Sequence, residues 1–144
     1  MSSDADRIAR VVARFANCFD RKDWGELESL LADELALDYA DLRGEVGAVS
    51  RASYVAKRRQ ALDSLATHHL LGNFEIEAAR GSATCRASGV IYRRSGERRF
   101  DSHVLYEFGF VQLGADWLIA SIRQRVLWSE GDPSIHSGAA AVPR

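Results

Sequence analysis

The second half of the chain changes to a two-residue hydrophobic period and keeps it. This pattern is typical of β-strands whose two faces meet different surroundings. Short segments that contain glycine separate the strand-like runs, as antiparallel hairpins require. The runs are 67–77, 83–94, 99–112 and 117–128. The sequence therefore predicts a four-stranded antiparallel meander, and the first half must supply whatever covers it.

The first half instead carries helical periods. Residues 4–20 place apolar side chains at steps of three and four, which predicts an amphipathic helix. Asp23 and Glu26 have the spacing of a capping box and predict the start of a second helix. Ser50 is the predicted N-cap of a third helix that extends to about Leu65. Its run of three basic residues is expected to face solvent: Lys57, Arg58 and Arg59.

Between the second and third helices, residues 34–39 alternate and predict a short strand that ends at Tyr39. Gly44 and Gly47 then predict a loop or a loose hairpin. Helices followed by an antiparallel meander indicate an α+β domain. We expect three N-terminal helices on a curved, mainly antiparallel sheet, forming a cone that encloses a pocket. Residues 1–130 should form this single domain, and residues 131–144 an irregular tail.

The composition is that of an ordinary soluble protein and excludes several classes of partner. The 144 residues are 47% hydrophobic and 27% charged, with a net charge of −1. This balance argues against nucleic acid and against anionic membranes as partners. No run of apolar residues is long enough for a membrane span, and the N-terminus lacks the pattern of a signal peptide. With two cysteines in no metal-binding pattern, we expect a cytoplasmic protein.

Two features suggest a proton-transfer site. Asp20 lies at the border of the apolar stripe in the last turn of the first helix, where the helix dipole disfavours a charged carboxylate. His68 and His69 begin the first strand of the meander, and strand alternation lets only one of them face the core. Simple parity groups His68 with Leu70 and later apolar residues, whereas a bulge at 72–73 would let His69 face inward. A histidine that pairs with a carboxylate is a suitable general base near neutral pH.

Three segments of the chain resemble scytalone dehydratase and the wider SnoaL-like group of the nuclear transport factor two-like superfamily. This group includes a hexachlorocyclohexane dehydrochlorinase. The segments are 15–24, 37–39 and 67–72, and the resemblance extends from about Ile8 to Trp128. It implies an α+β cone in which a histidine–aspartate pair catalyses elimination.

Carried over by position, the resemblance places the catalytic pair on His69 and Asp20 and an active-site tyrosine on Tyr39. Other dehydratase groups are replaced: a water-holding tyrosine falls on Phe19, a strand asparagine falls near Tyr106, and a second histidine falls near Tyr92 or Arg93. The elimination chemistry is therefore expected to be shared, but the substrate is not. We expect these aromatic side chains to contact the substrate: Phe19, Trp24, Tyr54, Tyr92, Tyr106 and Phe108.

These residues predict a small dehydratase, lyase or isomerase that needs no cofactor and no metal. Its substrate should be a small, largely apolar hydroxy-ketone or aromatic polyketide-like molecule. The resemblance also implies a homo-oligomer, either a dimer or a trimer. The alternative is a non-catalytic module of the same fold, either a ligand-binding cone or a stabilising partner like the small subunits of ring-hydroxylating dioxygenases.

Other chemistries have weaker sequence signals. The segment from Arg99 to Asp101 resembles part of limonene epoxide hydrolase, but the following strand lacks the second aspartate of that mechanism. A metal site formed by His68, His69 and His103 does not match a known ligand spacing. No motif around the two cysteines indicates a nucleophile.

Overall fold

The computed structural model describes residues 3–136 and shows helices packed on one face of a curved sheet. A 3-10 turn at Pro133–Ile135 follows the last strand. The helices are α1 (Asp4–Arg21), α2 (Trp24–Ser29), α3 (Ala40–Arg43) and α4 (Arg51–Leu62). The strands are β1 (Leu31–Tyr39), β2 (Glu45–Ser50), β3 (Ala66–Ala79), β4 (Ser82–Ser95), β5 (Arg98–Leu113) and β6 (Asp116–Gly131).

Within residues 3–136 the strands form one six-stranded sheet in the order β2-β1-β6-β5-β4-β3. Only the β1–β6 pair is parallel, and all the other neighbours are antiparallel. The predicted meander from residue 67 onward is confirmed, with strand ends within three residues of the prediction. The predicted α+β cone is confirmed as well.

The segment after β1, expected to be a loop or a loose hairpin, forms a hairpin. Residues 40–43 form a single helical turn in its connection, and Glu45–Ser50 form strand β2, which is antiparallel to β1. Gly44 ends the turn with φ of 68°, a conformation that suits glycine. Strand β2 then pairs with β1 through the backbone. Its side chains are mostly exposed and show little alternation, so the sequence carried no periodic signal for it.

Helix α1 covers the inner face of the sheet and forms the centre of the core. Its buried side chains include Ile8, Val12, Phe15 and Phe19, all at most 4% exposed. Ser3 and Asp6 form a capping box at its start. At its end Lys22 adopts the left-handed conformation, and its ammonium donates hydrogen bonds to two carbonyls near the end of α4. The end of α1 is thereby held in place.

Strand β3 contains the bulge that decides which histidine faces inward. The pairing of β3 with β4 shifts register between Gly72 and Glu75, and Asn73 has φ of 53°. A bulge reverses the alternation of the residues on its two sides. His69 therefore faces the core on one side of the bulge, and Ile76 faces it on the other. The parity that grouped His68 with Ile76 is wrong, and the bulge at 72–73 is confirmed.

The chain after β6 turns back onto the sheet. Asp132 accepts hydrogen bonds from Ser134 and Arg98, and these lower the pKa of the Asp132 carboxyl to about 2. His136 is buried against Phe100. The first part of the predicted irregular tail is thus an ordered turn, and residues 137–144 of that tail lie outside the described residues. None of the helices in residues 3–136 is long and apolar enough to span a membrane.

Candidate active site

His69 and Asp20 form a hydrogen-bonded pair between β3 and the last turn of α1. The distance from His69 Nδ1 to Asp20 Oδ1 is 2.7 Å. Asp20 Oδ2 accepts the backbone N–H of the same histidine at 2.8 Å, and Asp20 Oδ1 also accepts the Thr67 hydroxyl at 3.1 Å. Hydrogen bonds to charged groups stabilise a fold by about 1.5–3 kcal/mol each. This carboxylate therefore links the helix to the sheet and orients the imidazole.

The contacts of the carboxylate select the protonation state of the ring. Because ionised Asp20 is only an acceptor, it favours a proton on His69 Nδ1. This tautomer leaves Nε2 as the basic nitrogen of His69. Phe19 stacks on the imidazole with 5.1 Å between ring centroids and an angle of 22°. The histidine is 7% exposed, so its ring is fixed on one face by an aromatic side chain and at one edge by a carboxylate.

A small internal cavity lies beside this pair. Its volume is about 20 Å³, which is room for about one water molecule. Most of its polar lining comes from strands, while α4 contributes Arg58 and Leu62. The lining residues are Phe19, Tyr39, Arg58, Leu62, His69, Ile91, Arg93, Tyr106 and Gln124.

Two of the lining residues, Tyr39 and Arg58, form a cluster with Tyr54. The hydroxyls of Tyr39 and Tyr54 are 2.9 Å apart. The guanidinium of Arg58 lies 4.9 Å from the Tyr39 ring centroid and 4.7 Å from that of Tyr54. Arg58 also donates to Glu45 at 2.6 Å. This side chain is 3% exposed, so the prediction that the whole basic run faces solvent is wrong for Arg58.

The inward turn of Arg58 has an electrostatic cause. Glu45 on β2 supplies a counter-ion, and the two aromatic rings offer their negative faces to the guanidinium. Burial lowers the pKa of Arg58, but Tyr54, Tyr39 and Glu45 raise it by more. Burial raises the pKa of Glu45, but Arg58 and then Lys57 lower it by more. Arg58 and Glu45 are therefore both charged at neutral pH.

Strands β4, β5 and β6 supply the other polar side chains of the lining. Arg93 is 2% exposed, lies 5.0 Å from the Phe100 ring centroid and donates to Ser102 Oγ at 3.0 Å. Gln124 donates its amide N–H to the Tyr106 hydroxyl at 2.9 Å. The cavity thus combines a histidine with several neutral and cationic polar groups.

The aromatic side chains that we expected at the substrate fall into two groups. Phe19 and Tyr106 line the cavity with Tyr39, and Tyr54 is hydrogen-bonded to the Tyr39 hydroxyl. The other three lie elsewhere. Trp24 packs against Phe19 and donates a hydrogen bond to Asp63. Phe108 stacks on Tyr106 in the core. Tyr92 is exposed on the outer face, beside His68.

Three polar residues of the cavity were not among the predicted site residues. Arg58 was assigned to a solvated face, Arg93 was noted only as a replacement, and Gln124 was not noted at all. For Gln124 a signal existed, because a glutamine between buried positions of a strand must find partners. For Arg58 a signal existed as well, because it lies four residues after Tyr54 and four before Leu62, on the buried face of α4. Its counter-ion Glu45, in contrast, lies in strand β2, which shows no periodic signal.

The alternative chemistries lack the required geometry in residues 3–136. His69 faces the core, whereas His68 lies beside Tyr92 and His103 stacks on Trp128 at 4.1 Å on the outer face. Asp101 forms ion pairs with Arg94 and Arg99 away from the cavity. For the thiols of Cys18 and Cys85, burial raises the pKa to about 11 in both cases. Such thiols are protonated at neutral pH and are poor nucleophiles.

The chain is similar to known proteins both in sequence and in fold. The SnoaL-like domain family matches residues 1–123. The chain belongs to the SnoaL-like family. Its structure is also similar to the Kfla4162 protein from Kribbella flavida, at 20% identity and a TM-score of 0.86, over 92% of this chain and 95% of that one. No curated protein matches the chain.

Two further solved structures share the SnoaL-like cone. One is a proposed scytalone dehydratase from Novosphingobium aromaticivorans, at 16% identity and a TM-score of 0.75, covering 86% of this chain and 84% of that one. The other is a type 2 hexachlorocyclohexane dehydrochlorinase, at 14% identity and a TM-score of 0.73, covering 93% and 96%. At such identities the similarity shows the fold alone. The fold is the cone of nuclear transport factor two-like proteins.

Proposed function

We propose that this SnoaL-like protein is a lyase or isomerase that needs no cofactor and uses His69 as a general base. The observation that carries the proposal is the 2.7 Å contact between His69 Nδ1 and Asp20 at the edge of a buried polar cavity. A buried histidine with a fixed tautomer costs conformational freedom that a packing role alone does not require. The names of the two distant relatives describe elimination enzymes, and we extend that reaction class to this chain.

In the proposed reaction His69 removes a proton from a carbon next to a carbonyl group. The C–H electron pair forms an enolate, whose oxygen Tyr39 stabilises by a hydrogen bond. In a dehydration the enolate then expels a hydroxyl group from the adjacent carbon, and the imidazolium returns its proton to form water. In an isomerisation the proton returns to another carbon instead. Asp20 stabilises the imidazolium between the two steps.

Proton exchange tests this proposal before the natural substrate is known. We expect the protein to catalyse exchange of α-protons for deuterium in small hydroxy-ketones in D₂O, as followed by NMR. The exchange should depend on His69, because only a positioned base accelerates it. A rate equal to that of buffer for every ketone tested, or a rate that survives the loss of His69, would contradict general-base catalysis at this site.

A second candidate function is a non-catalytic module, which the cavity size favours. A volume of about 20 Å³ holds no organic substrate without movement of the lining. The chemistry of the lining argues for a reactive site, since a core with only a packing role would contain apolar side chains instead of two arginines and a glutamine. Co-purification with a large iron–sulfur subunit, together with an absence of exchange activity, would establish the second candidate.

We also propose that the protein associates with itself through the outer face of its sheet. Leu70, Val90, His103 and Trp128 are register partners across four neighbouring strands, on the face opposite to His69. Leu70 is 51% exposed and Trp128 is 52% exposed. Large apolar side chains grouped on an uncovered sheet face are typical of protein interfaces.

A row of charges beside this apolar group fits a second copy of the chain as the partner. Five register neighbours alternate in sign across five strands and line a groove of about 660 Å³. Three of the four neighbouring pairs in this row form ion pairs, with N–O distances of 3.5–3.8 Å. A row that contains both signs can complement itself in a symmetric dimer. The row consists of Asp38, Arg123, Glu107, Arg86 and Glu75.

Light scattering tests the self-association. The wild type should be a dimer or a trimer at micromolar concentration, and Trp128→Glu should shift it toward monomers because a charge would be buried in the interface. Leu113→Glu is the matched control, since Leu113 is 68% exposed at the far end of its strand. A wild-type monomer, or equal effects of both variants, would argue against the proposed interface.

We further propose a reducing compartment such as the cytoplasm. Cys18 and Cys85 are both free and buried. They lie in α1 and β4, respectively, and neither forms a disulfide bond. Free cysteine pairs are usual where thiols are kept reduced.

A further inference from the structure

The charges that surround the cavity are positive, although the proposed catalytic base needs no cation beside it. Arg58 on α4 and Arg93 on β4 both line the cavity, and both are at least 97% buried. None of the nine lining residues is a carboxylate. Asp20 lies behind His69, where its two oxygens already accept three hydrogen bonds.

The Arg58 guanidinium has N–H donors that are not used in hydrogen bonds to the described residues. Its Nη2 donates to Glu45, but among residues 3–136 its Nε and Nη1 have no hydrogen-bond partner. Buried N–H groups of a cation carry a desolvation penalty that an acceptor would remove. No acidic side chain of the described residues reaches them. An acceptor that enters from the cavity is the simplest way to satisfy them.

Gln124 supplies a buried hydrogen-bond acceptor beside these donors. One end of its side-chain amide bonds to Tyr106, and its Oε1 has no partner among the described residues. A buried carbonyl oxygen of this kind accepts a hydrogen bond from a hydroxyl group. The lining thus has two cationic donors and a neutral acceptor, Gln124 Oε1, that has no partner among the described residues.

We propose that the site takes a small carboxylic acid that carries an enolisable carbon and a hydroxyl group, and that Arg58 and Arg93 bind its carboxylate. This inference names the substrate class of the function proposed above and rests on it. Guanidinium groups bind carboxylates with good geometry, and the low dielectric of a buried site strengthens the attraction. The hydroxyl group of the acid would donate to Gln124 Oε1. The largely apolar substrate that the sequence suggested is thereby replaced by an anionic one.

The cavity size decides which probes are suitable. A volume of about 20 Å³ accepts little more than one small polar group, so longer acids require lining side chains to move. Formate and acetate are therefore the first probes. Acetamide has nearly the same shape as acetate but no charge, and chloride has the charge but no carboxylate geometry.

Calorimetry and NMR of the wild type provide the main test. Acetate should bind and shift the imidazole resonances of His69 while leaving those of His68 unchanged, because only His69 lines the cavity. Acetamide should not bind, and chloride should bind at least about tenfold more weakly, since it accepts no paired hydrogen bonds from a guanidinium. No binding of acetate, equal binding of acetamide, or equal binding of chloride would each overturn the proposal.

Variants then assign the binding to the two arginines. Arg58→Gln and Arg93→Gln should each weaken acetate binding at least about tenfold, because each removes hydrogen bonds from a charged donor. Arg59→Gln is the matched control, since Arg59 is the exposed neighbour that pairs with Asp63. Arg58→Lys should retain part of the binding through its charge. If a glutamine variant does not fold, the wild-type comparison of acetate, acetamide and chloride still decides the question.

The outcome separates this inference from the proposed reaction. Acetate binding at the cavity without any exchange activity would leave the carboxylate site standing and contradict the general-base function. Exchange activity on neutral ketones without acetate binding would support the general-base function and contradict the carboxylate site.

Discussion

Replacing His69 by alanine should lower kcat/KM for deuterium exchange by about 10²- to 10⁴-fold, the range that a positioned general base contributes. The reason is that His69 is the one imidazole that both faces the cavity and contacts Asp20 among the described residues. The rate is measured by NMR on the hydroxy-ketone or hydroxy acid that exchanges fastest with the wild type. We also expect wild-type kcat/KM to rise with pH as the imidazole loses its proton, and this rise should vanish in the variant.

The fold of the His69→Ala variant has to be verified separately, because His69 also packs against Phe19. Cooperative thermal unfolding is expected to persist, and His69→Gln provides a second variant with a side chain of similar reach. His68→Gln is the matched control, since His68 precedes His69 but lies on the outer face. A folded His69→Ala protein with wild-type exchange would refute the assignment of the base. If both His69 variants unfolded, the residue would be structural.

Replacing Asp20 by asparagine should lower kcat by about 10²- to 10⁴-fold with little change in KM, because it places the proton on the wrong nitrogen of His69. The backbone N–H of His69 can only donate a hydrogen bond, so in the variant the amide oxygen of the asparagine must face it. The amide NH₂ then faces His69 Nδ1 and can only donate to it. Nδ1 must become the acceptor and Nε2 must carry the proton, which removes the basic nitrogen.

Asp23→Asn is the matched control for the charge change. Asp23 caps α2 three residues away, and asparagine is an equally good N-cap. Its kcat should therefore remain near that of the wild type. The tautomer in the Asp20→Asn variant is checked directly by ¹⁵N NMR of the imidazole. Unchanged kcat, or an Nδ1–H tautomer in this variant, would show that Asp20 does not orient a catalytic base.

The site illustrates which residues a sequence reveals and which it conceals. Asp20 was recognisable because a carboxylate beside an apolar stripe at a helix C-terminus is locally unfavourable. His69 was recognisable only with the bulge, since simple alternation favoured His68. Arg58 was misread as part of a solvated basic run, although its spacing from Tyr54 and Leu62 places it on the buried face of α4. Its counter-ion Glu45 could not be identified from the sequence, because it comes from strand β2. The sequence did not indicate that Tyr92 lies on the outer face and Phe108 in the core, because an aromatic residue on a strand suits a cavity, a core or an outer face equally well.

The sequence by itself determined the amphipathic first helix, the helix caps at Asp23 and Ser50, and the antiparallel meander. These properties depend on local periods, caps and turns, which act over a few residues and are visible in the chain. Only the tertiary structure decided the contents of the cavity. Strand β2 brings Glu45 to Arg58, and the curvature of the sheet brings Arg93 and Gln124 to the same space. Such contacts join residues far apart in the chain, and their free energies depend on burial and on the positions of several charges at once.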